Sequence, residues 1–351
     1  MSWQPDVLGP GFVFRYLELL DDDFGPARAA LVRHDPLNDP DADPHTPAHP
    51  TFSLLHIHGW NDYNHNRALA RQVSRLGGAF YGLDLRRFGR SLQENDLHGY
   101  VDSLSVYDEE IGAALRIIRA EQGAARDVVL MGHSTGGLIA ALWTNHHPGA
   151  VRALILNAPW LETVSWAAVR TIAGPVVERL ARRSPTSTLR TPETSFYSRV
   201  LSGWTADDGE RPLGTEGDTF YDGWDLNPKW RLERSIPIRA GWLNAIVEGH
   251  REVASGLEIT CPILVLMSAR SVLPSKWDPV LRHVDSVLDG TTMAERAVQL
   301  GAHVTVVKID GAVHDVLLSE RPVRAAALEE LARFVRGYVF PLGDLGRGER
   351  P

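Results

Sequence analysis

Val128-Val-Leu-Met-Gly-His-Ser-Thr-Gly-Gly137 is the stretch on which the reading of this chain turns. Val128 to Met131 has the composition of a short buried strand, and Thr135 to His147 that of a helix. Between them Gly132, Ser134 and Gly136 form a Gly-x-Ser-x-Gly turn, with a further glycine at 137. So tight a strand-to-helix reversal puts its central residue in strained backbone, and a Cβ on either flank would crowd it. The turn exposes the Ser134 hydroxyl at the carboxyl end of the strand, and the helix aims its first amides at negative charge developing there. Ser134 is the expected nucleophile.

Outward from this turn, strands and helices alternate. Phe52–Ile57, Ala79–Leu85, Asp127–Met131 and Val151–Asn157 read as strands. Asn66–Leu76 and Leu104–Glu121 have helical spacing, with apolar positions at Ile111, Leu115 and Ile118. Strands separated by helices of that length imply right-handed βαβ units and a parallel sheet covered on both faces. Ahead of them, Phe12–Leu20 and Ala27–Arg33 flank Asp21-Asp-Asp-Phe-Gly25 as an antiparallel hairpin, and Pro-rich residues 34–50 read as an exposed connection. The alternation lapses from Ala158 to about Leu257, a segment with six of the ten tryptophans. Residues 158–258 are expected to be a mainly helical insertion that caps the sheet. Residues 1–157 and 259–341 form the core domain, closed by strands at Pro262–Met267 and Val304–Ile309 and a helix near Arg321–Tyr338. Residues 342–351 are expected to be a frayed tail.

A serine nucleophile needs a base, and the base an orienting carboxylate. In a sheet of this kind the chain order is serine, acid, histidine. His314 follows the last strand after a short loop, where the base should stand, whereas His303 precedes that strand and falls at the opposite end. The acid should follow the strand Pro262–Met267, but Ser268-Ala-Arg-Ser271 holds no carboxylate. Asp278, Asp285 and Asp289 come next. Asp285, 29 residues before His314, leaves room for one helix and one strand; Asp278 leaves 36 and is second choice. Oxyanion donors are expected from the Thr135 N–H and from the Trp60 N–H in His56-Ile-His-Gly-Trp60, where Gly59 permits close approach.

Other residues have plainer readings. His56 and His58 share one strand face, yet no third ligand accompanies them at zinc spacing, so no metal is expected. Arg86 and Arg87, in Asp84-Leu-Arg-Arg-Phe-Gly-Arg-Ser91, are expected to tie loops together through Asp84 and backbone carbonyls. Most tryptophans of residues 158–258 should pack that segment onto the sheet. His133, Trp160 and Trp166 are candidates for contact with a substrate.

Composition bounds the partners. The 351 residues include 36 Lys and Arg against 44 Asp and Glu, a net charge of −8. An acidic chain gives no reason to expect nucleic acid. Cys261 is the only cysteine, which excludes an intrachain disulfide; it opens an apolar run and reads as a buried small hydrophobe. No leader is visible at Met1-Ser-Trp-Gln and no apolar run approaches bilayer length, so a cytoplasmic monomer or homodimer is expected.

Taken together, His-Gly after an early strand, Asp-x-Arg-x-x-Gly-x-Ser after the next, Gly-His-Ser-x-Gly-Gly and a late Gly-x-x-His resemble the monoacylglycerol lipase/lysophospholipase branch of the α/β-hydrolases, often called serine aminopeptidase S33-like. The resemblance covers roughly residues 51–157 and 260–338. It implies an α/β-hydrolase fold with a mostly parallel eight-stranded sheet, a Ser134–Asp285–His314 triad, and hydrolysis of small-molecule esters with no cofactor. The aromatic-rich insertion suggests an apolar acyl part. The chain departs from the family in having Arg87 where a glycine is usual, and in a longer loop before the acid. Two other activities fit the same motifs. One is amide or peptide hydrolysis, with Glu162, Glu193 or Asp225 receiving an α-amino group; the other is a non-catalytic receptor that retains the triad.

Overall fold

A computed structural model describes residues 2–162, 174–189 and 196–340. Its strands are β1 (Gln4–Pro5), β2 (Phe12–Glu18), β3 (Arg28–His34), β4 (Phe52–Ile57), β5 (Gly78–Asp84), β6 (Asp127–His133), β7 (Ala153–Asn157), β8 (Ile263–Ser268) and β9 (Val304–Ile309). They form one sheet in the order β1-β2-β3-β5-β4-β6-β7-β8-β9. β1, β2 and β3 are antiparallel to their neighbours, and every pair from β5 across to β9 is parallel. The sheet thus has nine strands rather than the expected eight. The addition is β1, which pairs Gln4 with Phe14 and Pro5 with Val13. Two residues without apolar alternation leave no period-2 signal to read.

The helices are α1 (Arg67–Arg75), α2 (Asp108–Gln122), α3 (Thr135–His146), α4 (Gly174–Arg183), α5 (Phe196–Leu201), α6 (Thr219–Asp222), α7 (Ala240–Ala254), α8 (Gly290–Ala297) and α9 (Arg321–Tyr338). Side chains alternate across the strands and so divide the core in two. Leu55, Ile57, Leu130, Leu154, Leu156 and Val265 pack with α2, α3 and α7 on one face. Leu54, Val129, Met131, Ile155 and Leu264 pack with α1 and α9 on the other. Burial on both faces is why these strands read as continuous apolar runs. Truncating a fully buried member such as Leu130 to alanine costs about 2–5 kcal/mol.

Local signals set the ends. Asn66 caps α1 by accepting from the Leu69 N–H at 2.9 Å. The expected helix Leu104–Glu121 begins as a 3₁₀ turn over Leu104–Tyr107 and becomes α-helical only at Asp108. α4 to α7 all lie in the chain between β7 and β8. No helix among the described residues is long and apolar enough to cross a membrane. Trp166, Glu193 and residues 342–351 lie outside the described residues.

Candidate active site

The carboxyl ends of β4, β6, β7 and β8 meet at one edge of the sheet, where Ile57 is level with Gly132, His133 with Asn157, and Asn157 with Leu266. Ligands of open α/β sheets bind at that edge. Ser134 sits there at φ 52°, ψ −116°, a strained conformation for a residue with a side chain. The glycines around it are sterically required. A Cβ on Gly132 would strike the Gly136 carbonyl, and one on Gly136 would strike the carbonyls of Ile57 and His58. Thr135 is the first residue of α3, so its N–H has no acceptor within the helix.

His314 follows β9 after a short loop and is 3% exposed. Its Nε2 lies 3.0 Å from Ser134 Oγ and its Nδ1 3.0 Å from Asp285 Oδ2. Nδ1–H donates to the carboxylate, which leaves Nε2 to accept the serine proton. The other oxygen of Asp285 accepts from the N–H groups of Val287 and Leu288 at 2.8 and 2.9 Å. Asp285 therefore reaches His314 despite the loop that displaces it in sequence. Backbone pairing brings it back: Asp285 N–H donates to Arg270 O, Val272 N–H donates to Asp285 O, and Ser271 bridges Asp285 as a parallel partner. Asp285 is thus held beside the end of β8, where the expected carboxylate was missing. Asp278 and Asp289 instead cap short helices, accepting from the N–H groups of Val280 and Thr292.

Gly59 lies against the nucleophile turn, since a Cβ there would be 2.9 Å from His133 Cδ2 and 3.2 Å from Ser134 Cβ. Trp60 follows it, and its indole packs tilted against Trp242 with centroids 3.8 Å apart. The residues after it are clamped to the inserted segment. Asn61 exchanges hydrogen bonds with the Leu232 backbone, and Asp62 pairs with Arg231 at 3.1 Å. Burial would raise the Asp62 carboxyl, but Arg231 and His65 overcome it and hold the group well below the usual range.

A cleft of about 950 Å³ opens over Ser134 and His314. Trp60, Asp62 and His133 line one part; Leu189, Phe196, Ile236, Ile238 and Leu273 supply apolar wall; Arg231, Glu233 and Arg234 supply charge. His133 is in place to touch a ligand, and burial holds its imidazole below the usual value. Trp160 is not part of this wall. It packs against Trp242 and His250, and its N–H donates to Ser134 O. The described tryptophans of the inserted segment are packing residues: Trp204 on Tyr221, Trp230 on Tyr63, Trp224 beside Arg324. The apolar lining is mostly aliphatic, and no described tryptophan of that segment is part of it. Glu162 pairs with Arg296 at 3.2 Å, and Asp225 is exposed outside the cleft wall.

The remaining motif residues are structural. Arg86 pairs with Glu109, Glu110 and Asp22, and Arg87 with Asp22, fastening the hairpin turn to α2. Asp84, expected to serve them, binds Arg90 at 2.7 Å instead. Arg87 has φ 62°, the left-handed conformation that favours the glycine it replaces. His56 hydrogen-bonds Asn64, and burial lowers it to about 4. His58 uses both ring nitrogens, donating to Gly59 O and accepting from Leu85 N–H. Among the described residues, no cluster of three His, Cys, Asp or Glu has metal-binding geometry. Cys261 is half-buried rather than fully buried, and burial pushes its thiol up to about 11. His303 bonds Tyr338 away from the site.

Asn157, Asp315, Tyr197 and Arg231 stand at this site without having been singled out in the sequence. A buried asparagine ending the run Ala153-Leu-Ile-Leu-Asn157 was a visible signal, as was a carboxylate next to His314. Tyr197 and Arg231 come from the inserted segment, where no motif points to them.

The family model described as serine aminopeptidase, S33, matches residues 48–222, about half of the chain. Lysophospholipase L2 of Escherichia coli strain K12 is 24% identical, covering 79% of this chain and 77% of that protein. Among solved structures, the monoacylglycerol lipase of Paleococcus ferrophilus superposes with a TM-score of 0.57 at 14% identity, covering 83% of this chain and 96% of that one. A soluble variant of monoglyceride lipase from Saccharomyces cerevisiae gives 0.60 at 13% identity, with 92% and 96% covered.

Proposed function

Since this chain is an α/β-hydrolase of the serine aminopeptidase S33-like branch, we propose that it hydrolyses carboxylic esters through an acyl-enzyme on Ser134. The observation that carries this reading is the hydrogen-bonded chain from Ser134 Oγ through His314 to Asp285, at the floor of a cleft that admits a small molecule. His314 Nε2 takes the hydroxyl proton as Ser134 Oγ attacks the ester carbonyl carbon. Asp285 holds the imidazole in the required tautomer and stabilises the imidazolium. The amides of Thr135 and Trp60 donate to the tetrahedral oxyanion, aided by the positive end of α3. His314 then protonates the departing alcohol, and water attacks the acyl-enzyme by the same steps in reverse. Water is the only co-reactant this chemistry requires.

Leu189, Phe196, Ile236, Ile238 and Leu273 suit an apolar acyl part. The charged wall formed by Arg231, Glu233 and Arg234 suits a polar alcohol portion. The described part of residues 158–258 acts as a cap on the core domain, supplying most of this wall and latching to it through Arg231 and Leu232.

A panel of p-nitrophenyl esters from short to long acyl chains, run beside naphthyl amides, tests the reading. Esters should turn over with an initial burst, and Ser134→Ala should abolish turnover. Faster turnover of the amides would replace ester by amide hydrolysis, and tight binding without turnover would make the protein a receptor.

A further inference from the structure

We propose that Asn157 is a positioning residue that holds the nucleophile turn and the histidine loop in one frame, with Asp315 as its partner; this rests on the ester-hydrolysis reading above. Asn157 ends β7 and is fully buried. Its backbone carbonyl accepts from Ser134 N–H at 3.0 Å and from His133 Nδ1–H at 3.0 Å, so it touches the nucleophile and the residue before it. Its side chain faces the base. Nδ2 donates to Asp315 Oδ1 at 2.6 Å, and Oδ1 accepts from Val316 N–H at 3.2 Å. Asp315 Oδ1 also accepts from Leu317 N–H at 2.9 Å, and Asp315 N–H donates to the Tyr197 hydroxyl at 3.1 Å.

His314 follows β9, which is separated from β6 by two strands, β7 and β8, in the sheet order. Without a cross-link, its distance to Ser134 would depend on every intervening strand. Asn157 provides the shorter connection, because β7 is the direct neighbour of β6. The Ser134–His314 contact of 3.0 Å lies within proton-transfer reach, and a displacement of about 1 Å costs roughly 10²-fold in rate. The effect should fall on the chemical step more than on substrate binding, because neither side chain is part of the cleft wall.

The pair can be reversed. Asn157→Asp sets two carboxylates against each other at the 2.6 Å contact, whereas Asn157→Asp combined with Asp315→Asn restores a donor facing an acceptor and keeps an acceptor for Val316 N–H, at the loss of the bond from Leu317 N–H. On a short-chain p-nitrophenyl ester, kcat of Asn157→Asp should fall roughly 10²-fold with KM within about threefold, and the double variant should regain at least about tenfold of that loss. Asn157→Ala, which keeps the backbone carbonyl, should show the same kcat-over-KM split if Asn157→Asp does not fold; circular dichroism establishes the folded fraction of each. Wild-type kcat in folded Asn157→Ala overturns the proposal. Ser134→Ala separates this from the reading beneath it. Retained turnover there removes the ester mechanism whatever the Asn157 variants do, whereas a dead Ser134→Ala beside a fully active Asn157→Ala removes only the positioning role.

Discussion

The turn that carries Ser134 and the loop that carries Asp285 reach the same edge of the sheet by opposite means. The turn is held by what is missing: Cβ atoms at Gly132 and Gly136 would strike backbone carbonyls, so the required residue types are written within five consecutive positions. The Asp285 loop is held by what is added. Its backbone pairs with Arg270 and Val272, and its 3₁₀ segment Pro279–His283 is pinned through Arg282. That guanidinium, fully buried, donates to Asp208 at 2.8 Å and to the carbonyls of Val200 and Gly203. None of those partners is near in sequence. A position at the site is fixed in space, and the chain may reach it by a short route or a long one.

Five substitutions, one of them followed by titration, test this contrast. Asp285→Asn should act most strongly, lowering kcat about 10⁴-fold by favouring the wrong imidazole tautomer, with circular dichroism unchanged. Next is Arg282→Ala. It removes the hydrogen-bonded cation of buried Asp208 and leaves only the longer 3.7 Å pair with Arg199; loss of one partner of a buried pair costs about 3–5 kcal/mol, and urea unfolding should show this while the Ser134 turn stays intact. Gly59→Ala should lower kcat/KM by roughly 10²-fold, because the new Cβ must push the His58–Trp60 loop away from Ser134. Unchanged kinetics there would remove the oxyanion role of that loop.

The titration concerns stability. Burial lowers His56 and His98 to about 4 from an ordinary 6.5. Above pH 6.5 both are neutral folded or unfolded, so they impose no pH dependence. Between 6.5 and about 4 the unfolded chain gains protons that the fold does not, and stability falls with falling pH. The melting temperature should drop across that window, and His98→Gln should make the drop shallower; an identical pH profile would contradict the assignment. The smallest effect belongs to Asp278→Asn, for which kcat should stay within about twofold, since Asp278 only caps a 3₁₀ turn.

The contrast also explains what was legible in the sequence. Wherever a local period or a steric rule governs, the reading carries through: the parallel strands, α1 beginning after Asn66, the Ser134 turn, and His314 after the last strand. Asp285 was reachable only by counting residues, because the pairing that returns it to Ser271 leaves no local pattern. β1 was missed because two residues cannot show alternation. The residues that line the cleft were not legible, because tryptophan count does not say which way a ring faces; Trp230 and Trp224 turn to arginines and aromatic rings. Asn157 was passed over as the end of a strand, although a buried amide there needs partners and finds them across the site.

The central claim is that Ser134, activated through His314, is the nucleophile. Labelling the native protein with a fluorophosphonate and locating the adduct by peptide mass spectrometry tests it most directly. The account predicts one adduct, on the peptide containing Ser134, absent from Ser134→Ala and formed far more slowly in Asp285→Asn. An adduct on another residue, or undiminished labelling of Ser134→Ala, would contradict it.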